Sequence, residues 1–235
     1  VKDKMLYLDK KPKNPIVIEA FPGFGLVGTI AVEFLIEHLK TEQIGRIDLK
    51  DETPMVAIHE GKLIEPTGIF YSPEYNIVLI RSVNKISGNF SQVSDDFVKL
   101  QQELDVKDFV SLDGVNSPAR TSEVFFFCKH KEKEKEYADL GIKPLTEGII
   151  LGSTAVLLTN LKNIICLFAE THSELPDSKA AAELIKILDK KFNLKVDYQP
   201  LLETAKKFET KLRQVVDKSR MVQDEQERKK LNYVG

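Results

Sequence analysis

Gly23, Gly25 and Gly28 carry the most recognisable chemistry in the chain, because they stand in G-x-G-x-x-G spacing between an apolar run, Ile16–Ala20, and a helical pattern. Such a loop can turn tightly, let a pyrophosphate approach the backbone, and offer it free N–H groups at a helix N-terminus. Asp48 follows about 20 residues on, near the end of a second strand-like run, where a ribose-binding acid would sit in a dinucleotide unit. Two neighbours oppose that chemistry. Pro22 removes an N–H beside the would-be phosphate, and Phe24 places a bulky ring inside the loop. The other reading is structural: glycines let a strand turn sharply and a helix pack close to a sheet.

The densest polar group is AETHSELPD, in which Glu170, His172, Glu174 and Asp177 follow an apolar run and precede a helical pattern. Glu170 and His172 could act there as acid, base or ligand. The same residues also suit a helix start, with Asp177 or Ser178 as N-cap and acids favoured by the helix dipole. Ser153 reads as a cap for the helix it begins, and neither it nor Ser117 lies in a G-x-S-x-G elbow. The four histidines, His38, His59, His130 and His172, are scattered, and no H-E-x-x-H or paired-cysteine spacing occurs. The sequence therefore assigns no catalytic residue, no metal and no cofactor.

The elements that must position these residues follow from apolar periodicity. Strand-like runs are Ile16–Ala20, Ile44–Leu49, Met55–His59, Gly68–Tyr71, Asn76–Val83, Asp108–Leu112, Glu123–Cys128 and Asn163–Phe168. Continuous apolar stretches such as Ile77–Ile80 predict strands covered on both faces. Helical patterns span Val27–Lys40, Gln92–Leu104, Thr154–Leu161 and Ser178–Phe192. This alternation predicts an α/β sheet layered between helices, with an antiparallel portion between residues 44 and 83, where no helix intervenes. Lys129–Pro144, with its alternating charges, reads as a solvated helix or loop.

Composition narrows the function classes. The 235 residues carry 34 basic and 36 acidic side chains, a formal charge of −2, which gives no bias toward nucleic acid or an anionic membrane. No apolar run approaches the roughly 18–20 residues needed to span a bilayer, and Cys128 and Cys166 form no disulfide framework. A cytoplasmic protein is expected.

Pro200 separates a core, residues 1–199, from a C-terminal helix and mobile tail, residues 200–235. Leu201, Ala205, Phe208, Leu212, Val215, Ser219 and Val222 repeat at spacings of four and three, forming one stripe. The stripe calls for a partner surface: the protein's own core, a neighbouring helix, or an interchain seam. After Val222 it fails, and the chain ends in the apolar patch Leu231-Asn232-Tyr233-Val234-Gly235.

FPGFGLVG at Phe21–Gly28, GIILGSTAVLL at Gly148–Leu158 and AETHSELPDSKAAAELI at Ala169–Ile185, in order along the chain, resemble the archaeal and bacterial relatives of the eukaryotic proteasome assembly chaperones. The resemblance implies a three-layer α/β/α sandwich with a mixed central sheet, phosphorylase/hydrolase-like, plus a C-terminal helical extension. It also implies a non-enzymatic, homo-oligomeric chaperone or adaptor. Its partners would be the 20S proteasome or its α-subunits, reached directly or through a paralogous subunit, with no nucleic acid and no membrane. In this family the glycine loop is a structural turn, and archaeal members can dock through a hydrophobic-Tyr-any ending whose terminal carboxylate pairs with a lysine while the ring packs beside it. Leu231, Tyr233, Val234 and Gly235 are the corresponding partner-binding residues here, although Tyr233 stands third from the end and follows the polar Asn232. The alternative on the same scaffold is an enzyme, either nucleotide-dependent through the glycine loop or a hydrolase using Glu170 and His172.

Overall fold

The computed structural model describes residues 6–48, 57–59, 62–84, 86, 90–116, 123–172, 175–197, 202–203, 206–207 and 210. The strands, in chain order, are Leu6–Leu8 (β1), Ile16–Ala20 (β2), Glu42–Ile47 (β3), Ala57–His59 (β4), Lys62–Ile64 (β5), Thr67–Ser72 (β6), Ile77–Ser82 (β7), Asp108–Asn116 (β8), Val124–Cys128 (β9), Lys143–Pro144 (β10) and Ile164–Thr171 (β11). The helices are Val27–His38 (α1), Phe90–Leu104 (α2), Lys131–Ala138 (α3), Gly152–Asn160 (α4) and Ser178–Phe192 (α5).

Nine strands form one sheet in the order β1-β3-β6-β7-β2-β8-β11-β9-β10. The central four, β7-β2-β8-β11, are mutually parallel. All residues of β7 and β11 are buried, as expected of strands covered by helices on both faces. The antiparallel portion expected from residues 44 to 83 is present: β3 pairs with β6, and β6 with β7, antiparallel. Asn76, at φ +51°, closes the turn into β7, and its amide donates to the Lys13 and Asn14 carbonyls.

Each face has its own apolar core. Ile18, Leu79, Val110 and Leu167 point toward α1 and α5, while Val17, Val78, Phe109 and Phe168 point toward α2 and α4. Phe97 of α2 anchors the second core, its ring 5.9 Å from Phe21 and 5.8 Å from Phe109. The result is a three-layer α/β/α sandwich around a mixed sheet.

Element ends differ from the sequence reading in instructive ways. β8 and β11 run past their apolar cores because they pair in register from Phe109–Ile164 to Asn116–Thr171. Cross-strand pairing thus carries polar residues into strands that propensity alone would end. Ser153 is not a cap: α4 starts at Gly152, its N-cap position is Leu151, and no side chain caps it. The 129–144 segment contains α3, anchored by Tyr137, whose buried ring lies 5.9 Å from Phe126. The stripe residues Leu201, Ala205, Phe208, Leu212, Val215, Ser219 and Val222 lie outside the described residues, as do the tail residues Leu231, Tyr233, Val234 and Gly235.

α1 lies so close to the sheet that a Cβ on Gly28 would be 2.3 Å from the Leu112 carbonyl oxygen. Overpacking typically costs 1–3 kcal/mol, and a 2.3 Å approach to rigid backbone puts this site in the upper half of that range, about 2–3 kcal/mol; the gain in helix propensity from glycine to alanine, about 1 kcal/mol, offsets part of it. Gly28→Ala should therefore lower unfolding free energy by about 1–2 kcal/mol in urea denaturation; an unchanged midpoint would mean that α1 is free to shift.

Candidate functional site at the carboxyl edge of the sheet

The four parallel strands end at one edge, where α/β proteins commonly build sites. After β2 the chain makes a single 3-10 turn, Phe24–Leu26, closed by a bond from the Leu26 N–H to the Gly23 carbonyl at 3.2 Å. Gly25 at φ +62° and Leu26 at φ +47° are left-handed, so the turn depends on glycine at position 25. The Gly25 carbonyl accepts from the Asp177 N–H at 2.8 Å, which ties this loop to the segment leading into α5. Asp177 also accepts from the Ala180 N–H at 3.0 Å and from the Thr171 hydroxyl at 3.1 Å, and so serves as the N-cap of α5.

The space that glycine leaves open in this loop is filled by protein. A Cβ at Gly23 would lie 2.0 Å from an Asp113 carboxylate oxygen, and one at Gly25 would lie 2.7 Å from the Thr171 hydroxyl. Asp113 is held by the Thr154 hydroxyl and the Gly114 N–H, each at 2.8 Å. A carboxylate against the loop is an unfavourable neighbour for a pyrophosphate. Asp48 does not supply the ribose acid expected of a dinucleotide unit, because β6 and β7 lie between β3 and β2 and Asp48 itself pairs with Arg46 at 3.1 Å. A ribose-binding acid would have to end a parallel strand beside β2, whereas β3 is an antiparallel strand toward the sheet margin.

Beneath the loop, on the α2/α4 face, Glu19, Ser111 and Cys166 stand side by side on β2, β8 and β11. All three are buried, Glu19 to 1% exposure. Neither Glu19 oxygen nor the Ser111 hydroxyl has a well-oriented hydrogen-bond partner. Burial pushes the Glu19 carboxyl up to about 8, an effect that nearby Ser111 moderates and the Asp113 charge increases. Burial likewise raises Asp113, against the pull of Thr154 and Gly114, and raises the Cys166 thiol well above its usual range. A thiol so shifted is a poor nucleophile at neutral pH.

The polar group read from sequence is only partly assembled. Glu170 lies inside β11 and is buried, rather than in the loop after it, while His172 is exposed beyond the strand end. Glu174 and Ser117 lie outside the described residues. Glu19, Ser111, Asp113 and Thr154 were not singled out, although a glutamate between Ile18 and Ala20 in an apolar strand was a readable signal. Among the described residues, no group of three or more His, Cys, Asp or Glu side chains could hold a metal ion, and no helix is long and apolar enough to cross a membrane.

Apolar side chains rim this edge. Phe24 in the loop is 40% exposed, Ile149 and Leu151 before α4 are 89% and 72% exposed, and Leu175 before α5 is 57% exposed. At the opposite edge, a pocket of about 390 Å³ is lined by Asp108, Cys128, His130 and Lys133, among others. There Lys133 pairs with Asp108 at 2.9 Å, which raises the lysine.

Comparison with known proteins places this arrangement in context. The model of the PAC2 family matches residues 17–216. An uncharacterized protein of Methanocaldococcus jannaschii, MJ0106, is 32% identical over 225 residues, covering 92% of each chain. The crystal structure of Pyrococcus furiosus PbaA, described as an archaeal homolog of proteasome-assembly chaperone, superposes with a TM-score of 0.82 at 29% identity, covering 93% of this chain and 98% of that one. P. furiosus PbaB, described as an archaeal proteasome activator, shares the fold with a TM-score of 0.73 at 23% identity, over 89% of this chain and 97% of its own.

Glu19 generates a pH signature. Its folded pKa lies above the ordinary value of 4.5, so its stabilising protonated form is complete below about pH 4.5 and is lost as pH rises through about 8. Between those limits the native state should lose stability, on the order of a few kcal/mol for so large a shift. Glu19→Gln should flatten this slope in denaturant titrations from pH 5 to 9, and equal slopes in both proteins would contradict a buried, neutral Glu19.

Proposed function

This chain belongs to the PAC2 family, and from that membership we propose that it is a non-enzymatic chaperone or adaptor of the proteasome system. The observation that carries the reading is the likeness to PbaA along nearly the whole chain, at 29% identity. The edge geometry supports the non-enzymatic part. Asp113 and Thr171 fill the space beside the glycines, and Glu19, Ser111 and Cys166 are sealed beneath helices, so a substrate has no access to their acid or thiol. The glycine loop then serves as a structural turn opening α1, with Gly23, Gly25 and Gly28 admitting close packing. The groups left facing solvent at this edge include Phe24, Ile149, Leu151 and Leu175, which suit contact with protein rather than with a small polar substrate.

In this reading the protein works as a cytoplasmic homo-oligomer that engages the 20S proteasome or its α-subunits, alone or with a paralogous subunit. The C-terminal residues Leu231, Tyr233, Val234 and Gly235 serve as the anchor, with the aromatic ring and the terminal carboxylate engaging together.

Full-length protein should co-elute with purified 20S proteasome from the same source in size-exclusion chromatography, and removal of residues 231–235 should reduce the bound fraction at least several-fold. Failure of both proteins to bind, with and without the paralogue, would remove the proteasome from the proposal.

A further inference from the structure

The pocket at the amino edge of the sheet is built by three strands and one helix, and contact with other chains leaves it unused. α3 follows β9, yet Lys133 in its first turn reaches Asp108 at the start of β8, 2.9 Å away. Because β11 lies between β8 and β9, that turn arches across the start of β11, and Ile164 and Ile165 share the lining with it. The enclosed volume of about 390 Å³ falls in the range of small-molecule sites, roughly 300–1,000 Å³.

The polar groups of this lining are unevenly committed. His130 Nε2 lies 3.0 Å from the Lys162 carbonyl, which can only accept, so this nitrogen donates and the N-cap residue of α3 is pinned. Lys133 is held by Asp108 and by Glu136 at 3.4 Å. Among the described residues, by contrast, the ammonium groups of Lys107 and Lys131 make no ion pair or hydrogen bond, and one unpaired acid, Glu132, stands against them. The N–H groups of Lys131, Glu132 and Lys133 precede the first helical bond, from the Glu134 N–H to the His130 carbonyl, and no side chain caps them. Two spare lysines and an uncapped helix start give the mouth of the pocket a surplus of donors for an anion.

Asp108 sets a second requirement. It is 6% exposed, and its Oδ1, although ion-paired with Lys133, lacks a well-oriented hydrogen-bond donor. A bare anion would meet this carboxylate with repulsion, whereas a hydroxyl would supply the missing donor. Lys107 and Lys131 are exposed and Asp108 is buried, so the two requirements lie at different depths. We propose that this pocket binds a small molecule joining an anionic group to a hydroxyl, a class that includes sugar phosphates and hydroxy acids. The anion sits at the mouth with Lys107, Lys131 and the first-turn N–H groups of α3, and the hydroxyl points inward to Asp108. The site lies at the edge opposite the apolar rim and does not depend on the proteasome reading.

The chain carries its own reporter. Cys128 lines the pocket and is half-buried, while the other thiol, Cys166, is fully buried. Alkylation of Cys128 in the full-length protein by neutral iodoacetamide, followed by peptide mass mapping at constant pH and ionic strength, therefore reads occupancy. Millimolar glycerol 3-phosphate or glycerate should slow the reaction several-fold and saturably; the stronger of the two identifies the anionic group preferred. Inorganic phosphate and glycerol, each with half of the recognised chemistry, should protect less. Lys107→Gln/Lys131→Gln should abolish protection with an unchanged thermal melt, and Asp108→Asn should reduce glycerol 3-phosphate to the level of inorganic phosphate. The lysine variant, altered only at exposed positions, keeps the test decisive if Asp108→Asn fails to fold. No slowing by either hydroxylated anion would overturn the proposal, as would equal protection by inorganic phosphate in the wild type or protection that survives loss of both lysines.

Discussion

The turn from β2 into α1 is made where two backbones have no room for a side chain between them, and much of the carboxyl edge is arranged around that approach. Gly28 lets α1 lie against the Leu112 carbonyl, and Gly23 lets the loop close over Asp113. Because α1 sits so low, α5 can pack over it as well as on the sheet, and eight of the twelve α1 residues become buried. The loop is held from the other side by Asp177, which caps α5 and donates its N–H to Gly25. One tight approach therefore sets the height of two helices and the position of the loops around them.

The same approach changes what the glycine motif can do. In a nucleotide-binding loop, the room created by glycine is left for the ligand. Here Asp113, fixed by Thr154, and Thr171, bonded to Asp177, take up that room. The spacing in the sequence could not distinguish these outcomes, because it specifies where a side chain is missing and not what fills the gap. Pro22 and Phe24 were the local residues that favoured the structural alternative.

The layered fold was legible because its main signals are local. Ile77–Ile80 is apolar on both faces, Ser178–Phe192 has a clear amphipathic stripe, and the lack of a helix between residues 44 and 83 required antiparallel pairing. The missed features depend on partners distant in sequence. β1 is only three residues long and is defined by pairing with β3, and Glu170 becomes a strand residue because β8 continues beside it. The candidate site was less legible for the same reason. Glu19, Ser111 and Cys166 are far apart in the chain, and only the order of β2, β8 and β11 makes them neighbours.

That buried row also bears on the division between catalysis and binding. A carboxyl without a well-oriented partner is a costly thing to enclose in an apolar layer, and it remains tolerable largely by staying neutral. Raised carboxyls of this kind serve as acids in enzymes when a cleft brings substrate to them. Glu19 is instead buried on the α2/α4 face, which also holds the Phe21–Phe97–Phe109 cluster, while the apolar side chains of the glycine loop and of the segments before α4 and α5 face outward. The titratable groups of this row are enclosed, and the side chains displayed at the same edge are apolar, the reverse of an arrangement that offers an acid to a substrate.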